Sequence, residues 1–173
     1  MDIERIKKSI RNVPDFPKPG IQFKDITTLL QDSDAFQETI DIFYQQFKDK
    51  EIETVVGIES RGFIFAAPLA LKLDCKFALV RKPGKLPSDT VAEEYKLEYG
   101  SDAIEMHQDG IQIGDRVLIV DDLLATGGTA KATGSLVNKL GGEIVSYAFL
   151  IELIELKGSD ILDTKSVFSI IKY

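Results

Sequence analysis

Residues 117–129, VLIVDDLLATGGT, constrain this chain more than any other stretch. The apolar run at 117–120 is short and β-branched enough to predict a buried strand. It delivers two adjacent carboxylates, Asp121 and Asp122. After a short apolar step come Ala125, Thr126, Gly127, Gly128 and Thr129, and then a helical pattern over 130–140. A strand, a Gly/Thr turn and a helix together make an anion site. The first N–H groups of the helix lack intrahelical partners, and the helix dipole adds partial positive charge there. The glycines let backbone close around a phosphate, and the two threonines add hydroxyl donors. The paired acids suit ribose hydroxyls, or a divalent metal held through water. No Gly-Lys-Ser/Thr follows, so this is not a Walker loop, and the spacing is not G-x-G-x-x-G. The plainer alternative is an acidic turn ending in a helix cap. Strand, acids and T-G-G-T together favour one site for a phosphorylated sugar.

The rest of the chain supplies the frame. Ile3, Ile6, Ile10 and Val13 recur at helical spacing and predict a short amphipathic helix, broken by Asp15-Phe16-Pro17-Lys18-Pro19-Gly20. The next residues, 21–25, read as a surface strand or loop. Ser33 and Asp34 offer N-caps to a helix whose buried stripe is Phe36, Ile40, Phe43 and Phe47. Thr54–Ile58 is predicted as a strand, followed by Glu59-Ser60-Arg61-Gly62 and an apolar helix over 63–73. This is a second strand–loop–helix unit. A strand at 77–80 leads to the basic cluster Arg81, Lys82 and Lys85, and residues 86–106 read as a β-hairpin arm that closes over substrate. Gly141-Gly142 stops the helix after the Gly/Thr turn, and strands are expected at 143–151 and 166–171. Such alternation predicts one α/β domain over 1–173, with a mostly parallel sheet flanked by helices. Ligands in such folds bind beyond the C-terminal strand ends, where 59–62 and 121–129 both fall.

A net charge of −7 argues against nucleic acid as a partner. It does not exclude an anionic substrate, because salt screens charge beyond about 8 Å and local clusters such as 81–85 decide. No apolar run reaches membrane-span length, and the charged start MDIERIKKSIR lacks a secretory core. The single cysteine, Cys75, is expected to be a packed thiol in a reducing, cytoplasmic setting. His107 is the only histidine, so a zinc site is not expected, and its role is left open.

The segment VLIVDDLLATGGT resembles the phosphoribosyl-diphosphate (PRPP) signature of type I phosphoribosyltransferases. FPKPGIQFKDITTLL at 16–30, GIESRGFIFAAPLA at 57–70, RKPGKLP at 81–87 and YKLEYG at 95–100 extend the likeness over nearly the whole chain. The resemblance implies the type I phosphoribosyltransferase fold, with a small N-terminal hood within 1–30 and a flexible β-hairpin arm at 85–106. It implies magnesium-dependent transfer of the 5-phosphoribosyl group to a purine, with Mg2+ bound through PRPP and water rather than by a direct protein cage. Asp121 and Asp122 would hold the ribose, and Ala125, Thr126, Gly127, Gly128 and Thr129 the 5′-phosphate. Glu59, Ser60, Arg61, Arg81, Lys82 and Lys85 would bind pyrophosphate. The family commonly carries a cis peptide in the first of these loops. Backbone at Ile21 and Gln22 would read the base, Phe23 would stack on it, and Arg61 could contact base or pyrophosphate. Glu98 would be the general acid/base. The Leu-Leu-Ala step after the acids, with YKLEYG, favours adenine over hypoxanthine, guanine, xanthine or orotate. The family usually forms homodimers, with the arm and 81–87 near the interface. A non-enzymatic PRPP-sensing regulator is the reading from a different class.

Overall fold

Five parallel strands form the centre of the computed structural model, which describes residues 2–96, 101–164 and 166–173. In chain order the elements are α1 (Ile3–Ser9), β1 (Arg11–Pro14), β2 (Gln22–Asp25), α2 (Thr27–Gln31), α3 (Ser33–Phe47), β3 (Thr54–Ile58), α4 (Gly62–Leu73) and β4 (Lys76–Val80). Then follow β5 (Thr90–Lys96), β6 (Ser101–His107), β7 (Arg116–Leu124), α5 (Gly128–Lys139), β8 (Glu143–Glu152), two 3-10 turns (Ile154–Leu156 and Gly158–Ile161) and β9 (Val167–Lys172). The central sheet runs β4-β3-β7-β8-β9, all parallel. Its order reverses beside β3, whose neighbours are β4 and β7. That switch point opens the crevice in which such sheets bind ligands.

Strand alternation divides the core. Leu118 and Val120 of β7 face a cluster with Phe43, Phe47, Phe65 and Leu69, from α3 and α4. Val117 and Ile119 face another with Leu136 and Val137 of α5 and Tyr147 and Phe149 of β8. Helices therefore cover both faces, as the alternating pattern predicts. Among the described residues no helix is long and apolar enough to cross a membrane.

The arm is an antiparallel hairpin, β5 against β6. Its base belongs to the body, since Ile104 and Met106 are buried and Arg81 and Glu105 exchange both backbone hydrogen bonds, at 2.9 and 2.7 Å.

Four local expectations need correction. The N-terminal helix stops at Ser9, and Val13 lies on β1, opposite Phe23 of β2. Bonds to the residues after the turn decide this: Arg11 donates to Asp25 Oδ2 from Nε at 3.0 Å and to Thr28 Oγ1 from its backbone N–H at 3.1 Å. The cap of α3 is Asp32, whose carboxylate accepts the N–H groups of Asp34 and Ala35, rather than Ser33 or Asp34. Strand β7 runs on through Asp121 and Asp122 to Leu124, because β8 continues to pair with it up to Glu152. Helix α5 begins at Gly128, so the Gly/Thr turn is itself part of the helix start.

Candidate active site

The β7–α5 junction is built from backbone. Gly127 caps α5 at φ +83°, a left-handed conformation that favours glycine, and no side chain caps the helix. Its first N–H groups therefore face the loop without a side-chain acceptor. Ala125, Thr126, Gly127, Gly128 and Thr129, with Asp121 and Leu123, line a cradle of about 100 Å³. Asp121, Leu123 and Thr129 also line the adjoining cleft of about 180 Å³, so the two spaces meet.

That second cleft joins the β3–α4 loop to the acids. Asp122 is 4% exposed and ion-paired with Arg61 Nε at 3.0 Å. Asp121 Oδ1 accepts the Asp122 N–H at 2.8 Å. Burial, and then the charge of Asp122, push the Asp121 carboxyl well above the ordinary carboxylate range. Burial also raises Asp122, against the pull of Arg61. Glu59 moves the opposite way. Its Oε2 accepts the Lys82 N–H at 2.9 Å and Arg81 Nε at 3.2 Å, and these bonds lower its pKa. The Glu59–Ser60 peptide is cis, as the family resemblance implies.

Of the six residues expected at pyrophosphate, Glu59, Ser60, Arg61 and Lys82 line this cleft. Arg81 stands behind Glu59, and Lys85 is exposed, its carbonyl accepting from the Arg81 guanidinium at 3.2 Å. Tyr95 of the arm also lines the cleft, and Asp102 of the arm is tied to it by hydrogen bonds that the sequence did not reveal. Tyr95 OH lies 3.1 Å from Asp102 Oδ2, and the Lys82 ammonium bonds to both. Burial works against charge on Lys82, but these two partners outweigh it and raise its pKa.

A third space, about 380 Å³, opens under the hood and is lined by Val13, Phe16, Phe23, Asp25, Thr27 and Arg61. Phe16 meets Phe23 edge to face at 5.1 Å, and the Arg61 guanidinium sits 5.4 Å over the Phe23 ring. Aromatic faces beside a guanidinium suit a flat, electron-rich ring. Phe23, expected to stack on the base, lines this cleft. Ile21 and Gln22 are exposed beside the cleft and are not part of its lining; the Ile21 N–H is turned onto the Lys18 carbonyl at 3.2 Å. Val13 and Phe16 were missed, Val13 because helical spacing hid its strand. Phe16 carried a usable signal, an aromatic residue just before the Pro-Lys-Pro-Gly turn.

Arg61 is the residue common to the hood cleft and the acid cleft. Glu98 lies outside the described residues. His107 accepts the Ser88 N–H at 3.4 Å on the arm's base and lines none of these three spaces. Among the described residues no group of three or more His, Cys, Asp or Glu side chains is placed to cage a metal.

A family profile described as "Phosphoribosyl transferase domain" matches residues 25–173. Adenine phosphoribosyltransferase 1 of Triticum aestivum is 54% identical over 170 residues, covering 98% of this chain and 94% of the wheat protein. The adenine phosphoribosyltransferase of Halothermothrix orenii is 55% identical, covering 96% and 98%. The crystal structure of adenine phosphoribosyltransferase from Thermoanaerobacter pseudethanolicus superposes with a TM-score of 0.96 at 49% identity, covering 99% of this chain and 100% of that one. The Saccharomyces cerevisiae enzyme, complexed with an imino-altritol bisphosphate and adenine, gives 0.93 at 40% identity, covering 98% of each chain.

Proposed function

The chain belongs to the phosphoribosyltransferase family, and on that premise we infer that it transfers the 5-phosphoribosyl group from PRPP to adenine, forming AMP and pyrophosphate. The observation that carries this reading is the position of Arg61. It joins an aromatic cleft sized for a flat base to an acid-lined cleft that runs into a backbone anion cradle. A ribose spanning that junction has its anomeric carbon between base and departing pyrophosphate. The three subsites thus follow the order of groups along a nucleotide.

Within that frame the residues divide the work. The Ala125–Thr129 backbone holds the 5′-phosphate through helix-terminal N–H groups. Asp121 and Asp122 accept hydrogen bonds from the ribose hydroxyls. Ser60, Arg61 and Lys82 receive the pyrophosphate, with Glu59 and Arg81 orienting them. Phe23, Phe16 and Arg61 wall the cleft that takes the purine, and Glu98 manages its proton. No protein nucleophile is needed, so positioning and electrostatics supply most of the acceleration.

Magnesium belongs to the same proposal. Two acids beside an anion cleft fit a cation held chiefly by substrate oxygens and water. Asp121 and Asp122 would hold it through water, and when bound it would neutralise charge growing on the departing pyrophosphate. A homodimer is supported by exposed apolar surface at Leu71 of α4 and Phe77 of β4, the edge strand. A cytoplasmic setting is supported by the free thiol of Cys75.

The deciding experiment measures AMP formation from adenine and PRPP, with hypoxanthine and guanine as competing bases. Oxo-purines present a different hydrogen-bonding edge, and such mismatches cost orders of magnitude. Equal or higher kcat/KM for an oxo-purine would overturn the assignment of the base.

A further inference from the structure

The chain between β8 and β9 lies against the back of the phosphate cradle. It leaves β8 with the Leu153 N–H donating to the Leu124 carbonyl at 2.9 Å, and turns at Lys157, which is left-handed at φ +52°. Gly158 follows, buried, at the start of the second 3-10 turn. A methyl group on Gly158 would overlap the Ala125 carbonyl oxygen and lie 3.0 Å from the Gly127 nitrogen. The relation is reciprocal. A methyl on Gly127 would lie 2.5 Å from the Gly158 carbonyl oxygen and 3.1 Å from Ile161 Cγ1, where ordinary contact begins at 3.4 Å. Two glycines, one in the cradle and one 31 residues later, thus allow backbone to pack directly on backbone.

This turn is itself anchored. Glu152, 5% exposed at the end of β8, is ion-paired with Lys172 at 3.2 Å, and the Tyr173 N–H donates to the Glu152 carbonyl at 2.9 Å. The cradle therefore rests on a fixed wall.

We propose that residues 157–161 are a backstop setting the closure of the Ala125–Thr129 loop, with Gly158 a positioning residue for the substrate's 5′-phosphate. The proposal rests on the reading of that loop as the 5′-phosphate site. Gly158 acts through Ala125 and Gly127, whose backbone it holds. Adding a methyl demands a displacement of about 1 Å, and misplacement on that scale costs up to about 100-fold in a preorganised site. The donors most affected are those at the start of α5, so the loss should follow the phosphate and not the nucleoside.

The test compares AMP with adenosine by calorimetry in the wild-type chain, Gly158→Ala and Ile161→Ala, with melting temperature and circular dichroism as folding controls. Wild type should bind AMP far more tightly than adenosine. Gly158→Ala should shrink that preference by about 10- to 100-fold, leaving adenosine affinity unchanged. Ile161→Ala removes only side-chain packing against Gly127 and should shrink it by about two- to fivefold. A general loss of structure would weaken both ligands alike and leave the ratio unmoved. A folded Gly158→Ala with the wild-type preference overturns the backstop alone. If Gly158→Ala does not fold, an unchanged preference in Ile161→Ala does the same. A wild type that binds AMP no better than adenosine overturns the phosphate site, and the backstop with it.

Discussion

The β3–α4 and β7–α5 loops leave neighbouring strands at the same end of the sheet, yet they are built on opposite principles. The first is made of charged side chains that already have partners: Glu59 with Arg81, and Arg61 with Asp122. The second is made of backbone donors around Gly127, with no capping side chain. Their carboxylates diverge accordingly. Glu59 is held below its usual pKa by the Lys82 N–H and by Arg81, whereas burial raises Asp121 and Asp122. The difference suits the two phosphate ends of PRPP. On the proposed assignment pyrophosphate must arrive and leave, and exchangeable ion pairs would take it up and release it. The 5′-phosphate stays on the product, and a fixed dipole can hold it throughout.

If both loops only hold, chemistry at the base must be separable from them. Glu98→Gln should lower kcat by about 100-fold or more while KM for PRPP changes little, as removal of a general acid/base does. Single-turnover rates check this; a loss in PRPP affinity instead would join the arm to the pyrophosphate loop. Gly128→Val, which puts a branched side chain on the backbone cradle, should weaken AMP and PRPP alike by about 100-fold. Unchanged AMP affinity by calorimetry in a folded variant would move the phosphate elsewhere. Arg81→Gln should raise KM for PRPP by about tenfold, the scale of one charged hydrogen bond, and leave AMP affinity alone because AMP carries no pyrophosphate. Equal losses for both ligands would erase the distinction between the loops.

The smallest effect concerns stability. Asp121 is raised above its unfolded value of about 3.9, so its contribution is most favourable below that pH and is lost as pH rises through the folded value. Asp121→Asn should therefore raise the melting temperature at pH 7, an effect small beside the changes in binding above. The gain should vanish below about pH 3.9, and AMP binding should weaken. A lower melting temperature at neutral pH would show that the Asp121 carboxylate stabilises the unliganded fold. Glu59 gives the opposite sign: its lowered pKa contributes stability above its unfolded value, lost as pH falls through the folded one.

What could be read from the chain differs by how the chemistry is encoded. The strand–turn–helix geometry at 117–139 was legible because strand, glycines and helix are contiguous, and a helix N-terminus with free N–H groups follows from that order alone. The parallel sheet was legible for the same reason, from strands alternating with helices. The hood was not: Val13 and Phe16 reach Phe23 through a hairpin whose pairing depends on Arg11 bonding to Asp25, and helical spacing pointed the other way. The basic cluster was only half legible. Lys82 lines the cleft while Arg81 and Lys85 do not, because β4 ends at Val80, Arg81 is held by its bridge to Glu105, and the chain then turns.

The sequence by itself determined the family, the sheet and the strand–glycine–helix turn, since each is written in residues that are neighbours along the chain. Only the tertiary structure decided that Arg61 joins the hood cleft to the acid cleft, that Tyr95 and Asp102 meet Lys82, and that Gly158 backs Gly127. Those contacts join residues far apart in sequence. No local periodicity records them, because they exist only once the sheet has brought its strand ends to one edge.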